Sequence, residues 1–319
     1  MAIAIDGGSR PKSEFVQVVH TCVYRWKGLP CESFGDAFLV MWKPSPKGTN
    51  EGGPQLSFAH ADRALLAMIK VQVEMRRSEA VINMLQHPRL LEQSSVTSKY
   101  KQIKLGLCLH TGWAIEGPIG SNYKIDAAHL SPHVSLVGFL DTCTTIYGVP
   151  VIMSEKFYMK LSLRAKEKCR RVDTVKIGEE YLNGIYTFDM NPKGNVLRVD
   201  MATHQMAQLV VPEELKDVDN ERVEADGIEF IFAMDRDVAK QQEGIPENLF
   251  VDYRRGLANV AEGKLDRAKE AFERVLSYWP DGPSKAQLNF IGLVNEEEPG
   301  DKGFHVLDST TIIALMNKM

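Results

Sequence analysis

Between Cys31 and Trp42 the chain reads CESFGDAFLVMW, a Gly-Asp pair set between two runs of bulky residues. Gly-Asp is turn chemistry and the flanks favour extended backbone, so the stretch predicts a hairpin turning at Gly35-Asp36. An acidic residue on a hairpin tip beside buried strands is also how a protein presents a metal ligand, which makes Asp36 a candidate. Just upstream, EFVQVVHTCVYRW places Phe15, Val18, Val19, Cys22, Val23 and Trp26 at the spacing of a helix with one buried face, ended by Gly28 and Pro30. The opening unit is a helix followed by a hairpin.

The same reading continues along the chain. SPKGTNEGGP is a loop, and HADRALLAMIKVQVEMRRSEAVINML is a long helix with Leu65, Met68, Ile69, Val73 and Leu85 turned inward. QHPRLLEQSSVTSKYKQ reads as a surface excursion, and IKLGLCLHTGWAIEGPIGS as two antiparallel strands about a glycine-marked turn. A helix from Pro132, a strand in GVPVIMS, a short helix capped by Ser154, and strands in CRRVDTVKI and YLNGIYTFDM complete the set. The order α-ββ-α-ββ-α-β-α-ββ predicts an α+β domain over 15–190, helices packed on an antiparallel sheet, with 1–14 as an N-terminal extension.

Beyond residue 190 the pattern changes. An acidic connector, 191–245, contains one strand-like segment, GIEFIFAM, and is followed by a helical tail, 246–319. Two helices, ENLFVDYRRGLANVAEG and LDRAKEAFERVLSYW, meet at Gly263-Lys264, with Ala258, Ala261 and Ala268 where they would approach closely. The hairpin is TPR-like, resembling a tetratricopeptide unit, and one unit cannot stack into an array. It is expected to lean on the main domain or on a partner.

Composition narrows the partners. A formal charge of −4 over 319 residues gives no general attraction to nucleic acid or anionic lipid. Five cysteines with no C-x-x-C pair suggest neither a zinc knuckle nor a disulfide framework. Apolar runs such as FLVMW and GVPVIM fall short of the roughly 20 residues a membrane helix needs, so no membrane insertion is expected. The start lacks a secretory pattern, which makes a cytoplasmic location the expectation. His110, His129 and His133 have no cysteine or acid at metal spacing and read as core or loop histidines. GGSRPKS lacks the Gly-Lys-Ser/Thr ending of a phosphate loop.

Four stretches, FGDAFLVMW, KLGLCLHTGWAIEGPIGS, KIDAAHLSPHVSL and RVDTVKIG…GIYTFDM, occur in the order found in class III adenylate/guanylate cyclase homology domains, which the chain resembles over roughly 15–190. The tail segment AEGKLDRAKEAFERVLSYWPDGPSKAQL is similar to the segment C-terminal to that domain in some protist cyclases. The resemblance implies a ferredoxin-like, cyclase-type sheet and head-to-tail pairing of two such domains around a nucleoside triphosphate. It also implies two carboxylates for two divalent ions, an Asn for the ribose, an Arg and a Lys for phosphate charge, and a residue pair that reads the base.

Carried onto this sequence, the second metal carboxylate corresponds to Asp36. The first has no clear counterpart, since Asp6 lies too near in sequence and no Phe-Thr follows it. Ser135 stands where Asn is expected and Phe139 where Arg is expected, and Glu179 and Glu180 stand where the Lys should follow. Arg to Phe removes a fixed charge and five donors. At the base-reading positions Asp126 matches adenylate-forming members and Glu32 guanylate-forming ones, which assigns no base.

The resemblance therefore implies a catalytically inactive structural or regulatory subunit. It would work through the cyclase dimer face and the tail with a protein partner, another cyclase-like domain among the candidates, and without nucleic acid. No cofactor is expected, with Mg²⁺ and ATP or GTP held only as residual binding. Protist relatives would be at home in a cilium or flagellum. Two alternatives stand beside it: one half of a heterodimeric cyclase making cAMP or cGMP, and a non-catalytic nucleotide sensor. The plainer reading of Asp36 is turn chemistry alone, because one carboxylate seldom holds Mg²⁺ without a second ligand or phosphate oxygens. Asp126 is equally readable as an ordinary polar residue at a strand end.

Overall fold

The computed structural model describes residues 2–6, 12–34, 37–43, 54–85, 104–123, 125–177, 180–191, 221–294 and 305–306. Its strands are β1 (Ala2–Asp6), β2 (Leu29–Phe34), β3 (Ala37–Met41), β4 (Lys104–Leu109), β5 (Ile115–Gly120), β6 (Ile125–Leu130), β7 (Val151–Ser154), β8 (Cys169–Ile177), β9 (Glu180–Phe188) and β10 (His305–Val306). All but β5 and β6 form one sheet, in the order β10-β8-β9-β7-β4-β1-β3-β2.

The architecture is the α+β one the sequence implies, with two departures in the sheet. The sheet is mixed: β4 and β7 run parallel, as do β8 and the two-residue β10, and the other pairs are antiparallel. The β4/β7 pair is parallel because a helical crossover, rather than a tight turn, joins those strands. The second departure concerns 1–14. Residues 2–6, read from sequence as part of an extension, form β1 between β3 and β4, with Ala4 opposite both Ala37 and Gly106. Five residues are too few for periodicity to reveal a strand; its neighbours supply the ladder that defines it.

Helices α1 (Lys12–Arg25) and α2 (Pro54–Arg77), with α3 (Glu79–Leu85) after a break at Ser78, cover one face of the sheet. Val19, Cys22, Val23, Leu65, Met68 and Ile69 meet Phe38, Val40, Leu105, Leu107 and Leu109 there. Helix α4 (Pro132–Tyr147) covers the other face, where Val137, Leu140, Cys143 and Tyr147 meet Cys108, Ile152, Val172 and Ile185. Alternation along β4 assigns Leu107 to the first core and Cys108 to the second. Short helices α5 (Glu155–Tyr158) and α6 (Leu163–Glu167) start on Ser154 and Ser162, whose hydroxyls accept the N–H of Phe157 and Ala165.

The acidic connector is partly a packed layer. GIEFIFAM lies in α7 (Glu221–Met234), followed by α8 (Arg236–Gln242). It is helical because Ile228 and Phe232, four residues apart, enter the first core while Phe230 faces solvent. Lys70 of α2, itself buried, reaches Asp235 at 2.6 Å and Asp237 at 2.9 Å, and Arg77 reaches Asp237 at 2.6 Å. With α7 laid over it, α2 is buried at every position from 61 to 73.

The predicted hairpin is present as α9 (Glu247–Ala261) and α10 (Leu265–Tyr278), with a third helix, α11 (Gly282–Val294). Its close approach is at Gly256, where an added Cβ would sit 2.5 Å from the Phe272 ring. Of the alanines expected there, Ala268 is buried, whereas Ala258 and Ala261 are exposed. The tail leans on the domain: Ala286 and Phe290 of α11 complete the second core, and the Tyr253 hydroxyl donates to Val172 O at 2.6 Å.

Candidate functional site

Strands β5 and β6 form a ribbon hydrogen-bonded to no other strand among the described residues. Sequence reasoning paired β4 with β5; instead β5 leaves the sheet and pairs with β6. The segment from His110 to Ala114 leads the chain out, and Ser131 brings it back as the N-cap of α4. This root is tightly bonded. Ser131 Oγ accepts from His133 N at 3.0 Å and donates to Trp113 O at 2.5 Å. His110 lies between Ser154 Oγ, 2.6 Å from Nδ1, and His133 Nδ1, 2.9 Å from Nε2. A consistent proton arrangement has Ser154 donating to His110 and His110 donating to His133, with His110 neutral. Burial, then His133 and Lys156, push His110 down to about 4, in keeping with that neutral ring.

The pairing register sorts the ribbon into two faces, because directly opposed residues share a side. Ile115 opposite Leu130, Gly117 opposite Ala128 and Ile119 opposite Asp126 form one; Glu116 opposite His129 and Pro118 opposite Ala127 form the other. On the first, Ile115, Ile119 and Leu130 are 61%, 60% and 66% exposed, and a Cβ on Gly117 would meet nothing within 4 Å. Trp113 at the root and Tyr123 at the tip are also open to solvent, as is Ile125, which stands opposite Gly120 on the second face. Scattered exposed apolar residues are ordinary, but Ile115, Ile119 and Leu130 are grouped on one face of the ribbon.

The second face turns back to the body. His129 Nδ1 is 2.7 Å from Glu32 Oε1 on edge strand β2, and its Nε2 is 3.5 Å from Glu116 Oε1. Lys43, just past β3, binds the Glu116 carboxylate and holds its titration below the ordinary range. Glu32 follows a register shift at Cys31, where Pro30 interrupts β2; edge strands tolerate both proline and a bulge, and a bulge re-aims the next side chain.

The sequence candidates divide accordingly. Asp36 and Glu179 lie outside the described residues. Asp6 closes β1 opposite Lys104, and Asp126 pairs with Ile119 on β6. The ribbon's return brings Glu32 to the strand that carries Asp126, through His129. Ser135 is exposed on α4, whereas Phe139, one turn on, is half-buried and packs on the second core. Glu180 begins β9. Among the described residues no three His, Cys, Asp or Glu side chains converge where they could hold a metal ion. His129 reads in the sequence only as a core or loop histidine, and Glu116 and Lys43 carry no signal there, because their partners are distant: His129 meets Glu32 across 97 positions and Lys43 meets Glu116 across 73. No helix among the described residues is long and apolar enough to cross a membrane.

The class these features define is an α+β domain on a mixed sheet, with a detached β-ribbon and a docked helical tail. No family model and no curated protein matches the chain. Similar solved structures are adenylyl and guanylyl cyclases. A bacterial light-regulated adenylyl cyclase has a TM-score of 0.44 at 14% identity, over 59% of this chain and 50% of that one. The adenylyl cyclase CyaB from P. aeruginosa has a TM-score of 0.40 at 15% identity, over 58% of this chain and 89% of that one. An adenylate cyclase from Trypanosoma brucei has a TM-score of 0.41 at 11% identity, over 61% of this chain and 88% of that one. These are partial likenesses of backbone arrangement, and the first spans only half of the cyclase it matches.

Proposed function

We propose that this chain is a catalytically inactive cyclase-like protein that serves as a structural or regulatory subunit of a larger assembly. The observation that carries the reading is Phe139. At the position where the resemblance calls for arginine, a phenyl ring packs on the core beneath α4. It offers no charge and no donor to a phosphate, and loss of one preorganised stabilising group commonly costs a factor of about 10²–10³ in rate. Ser135 can neither span an asparagine's reach nor offer its amide. The outward face of the β5–β6 ribbon supports the binding half of the reading, since Ile115, Ile119 and Leu130 are exposed together on it and grouped exposed apolar side chains mark contact surfaces. A second cyclase-like domain is the partner this reading favours.

The test is a thermal-shift titration of the full chain with ATP and with GTP, each at millimolar concentration with Mn²⁺. No shift is expected. A saturable shift with either triphosphate would move the protein to the sensor or the enzyme class.

A further inference from the structure

The ribbon needs something to hold it, because no backbone ladder among the described residues joins it to the main sheet. The root fixes where the chain leaves and returns, but not the angle at which the ribbon stands. Its inward face meets the body through charged contacts: Glu32 to His129, His129 beside Glu116, and Glu116 to Lys43. They differ in weight. Lys43 and Glu116 are 41% and 49% exposed, the setting in which ion pairs contribute least. His129 and Glu32 are 4% and 21% exposed, so breaking their contact strands a polar group away from water. Nε2 of His129 has no hydrogen-bond partner and faces a carboxylate that Lys43 neutralises. The imidazole is thus set by Nδ1 and Glu32.

We propose that the Glu32–His129 contact is a latch that fixes the angle of the β5–β6 ribbon and so presents the face carrying Ile115, Ile119 and Leu130. Glu32 is then a positioning residue, committed within the chain, and not a reader of a nucleobase. The bulge at Cys31 serves the latch by aiming Glu32 at β6. The consequence for binding rests on the ribbon being the partner-facing element, as proposed above; the latch itself does not.

The experiment uses the full chain with no nucleotide and no partner, so its failure leaves the inactive-subunit reading standing. Spin labels at Asn122 on the ribbon tip and Lys160 on the body report the distribution of distances between them. A single narrow distribution is expected for the native chain, at least twofold broader in Glu32→Ala and in His129→Ala. Exchanging the pair, Glu32→His with His129→Glu, should restore the narrow distribution. Folded single variants with unchanged width overturn the latch. So does an exchanged pair as broad as the singles, and that arm decides the matter should the single variants not fold.

Discussion

Asp62 is an acid with too little compensation. It is 1% exposed on α2, and its carboxylate accepts the Ser162 N–H at 2.9 Å. Burial outweighs the Ser162 hydrogen bonds and lifts its carboxyl from 3.8 to about 6. The folded state therefore binds the proton more tightly than the unfolded chain, so Asp62 weakens the fold as pH rises from about 4 to about 6 and by a constant amount above that. Asp62→Asn keeps an acceptor for Ser162 and removes the charge. It should raise stability at pH 7.5 by about 2 kcal/mol and do little at pH 4, read as urea midpoints at both values. A lower midpoint at pH 7.5 would contradict this. The glycines give a second contrast. Gly138, inside α4 with nothing within 4 Å of its added Cβ, should gain about 0.5–1 kcal/mol as alanine. Gly256, inside α9 against Phe272, should lose about 1–3 kcal/mol by the same change. Thermal melts of the two variants should move in opposite directions.

For the elements, legibility followed the length of the periodic pattern. Helix α4 could be read from Pro132 to Tyr147 because the proline start and the apolar run that follows agree. The short capped helix after Ser154 was equally plain, as were β8 and β9. Three readings failed where a short apolar stretch leaves the type or the partner open. AIAID became the interior strand β1, GIEFIFAM became helix α7, and the pairing of β4 with β5 gave way to a ribbon. One motif singles out Ser135 and Phe139 in the sequence, whereas nothing local marks the roles of His129, Glu116 or Lys43, which depend on contacts far along the chain. The α2/α7 layer yields an element-scale prediction. Lys70→Ala removes the Asp235 partner and one of the two cations on Asp237 in a buried setting and should cost about 3 kcal/mol, detected as a fall in melting temperature. A change below about 0.5 kcal/mol would show that Arg77 alone suffices to hold α8.

Across the molecule, the tail is joined to the domain by a buried ion cluster. Arg170 at the start of β8 donates to Asp189 at 2.7 and 2.9 Å and to Asp281 at the entry to α11, and its guanidinium lies 4.4 Å from the Tyr253 ring centroid. The two carboxylates hold the guanidinium charged despite its burial. Asp281 also accepts from Ser284 N and Oγ at 2.9 and 2.6 Å, so a single side chain caps α11 and anchors it. Domain and tail should accordingly unfold together. Asp281→Ala is expected to cost about 3–5 kcal/mol and to leave a single transition at lower temperature; two resolved transitions in the native chain would contradict this coupling.

The most direct measurement of the central claim is product formation. The purified full chain, alone and with any cyclase that copurifies, is incubated with Mn²⁺ and ATP or GTP, and cAMP and cGMP are quantified by mass spectrometry. With phenylalanine at 139 and serine at 135, the chain alone should yield neither product above a protein-free blank, and Asp36→Ala should leave any activity of the mixture unchanged. Turnover by the chain that disappears in Asp36→Ala would contradict the account.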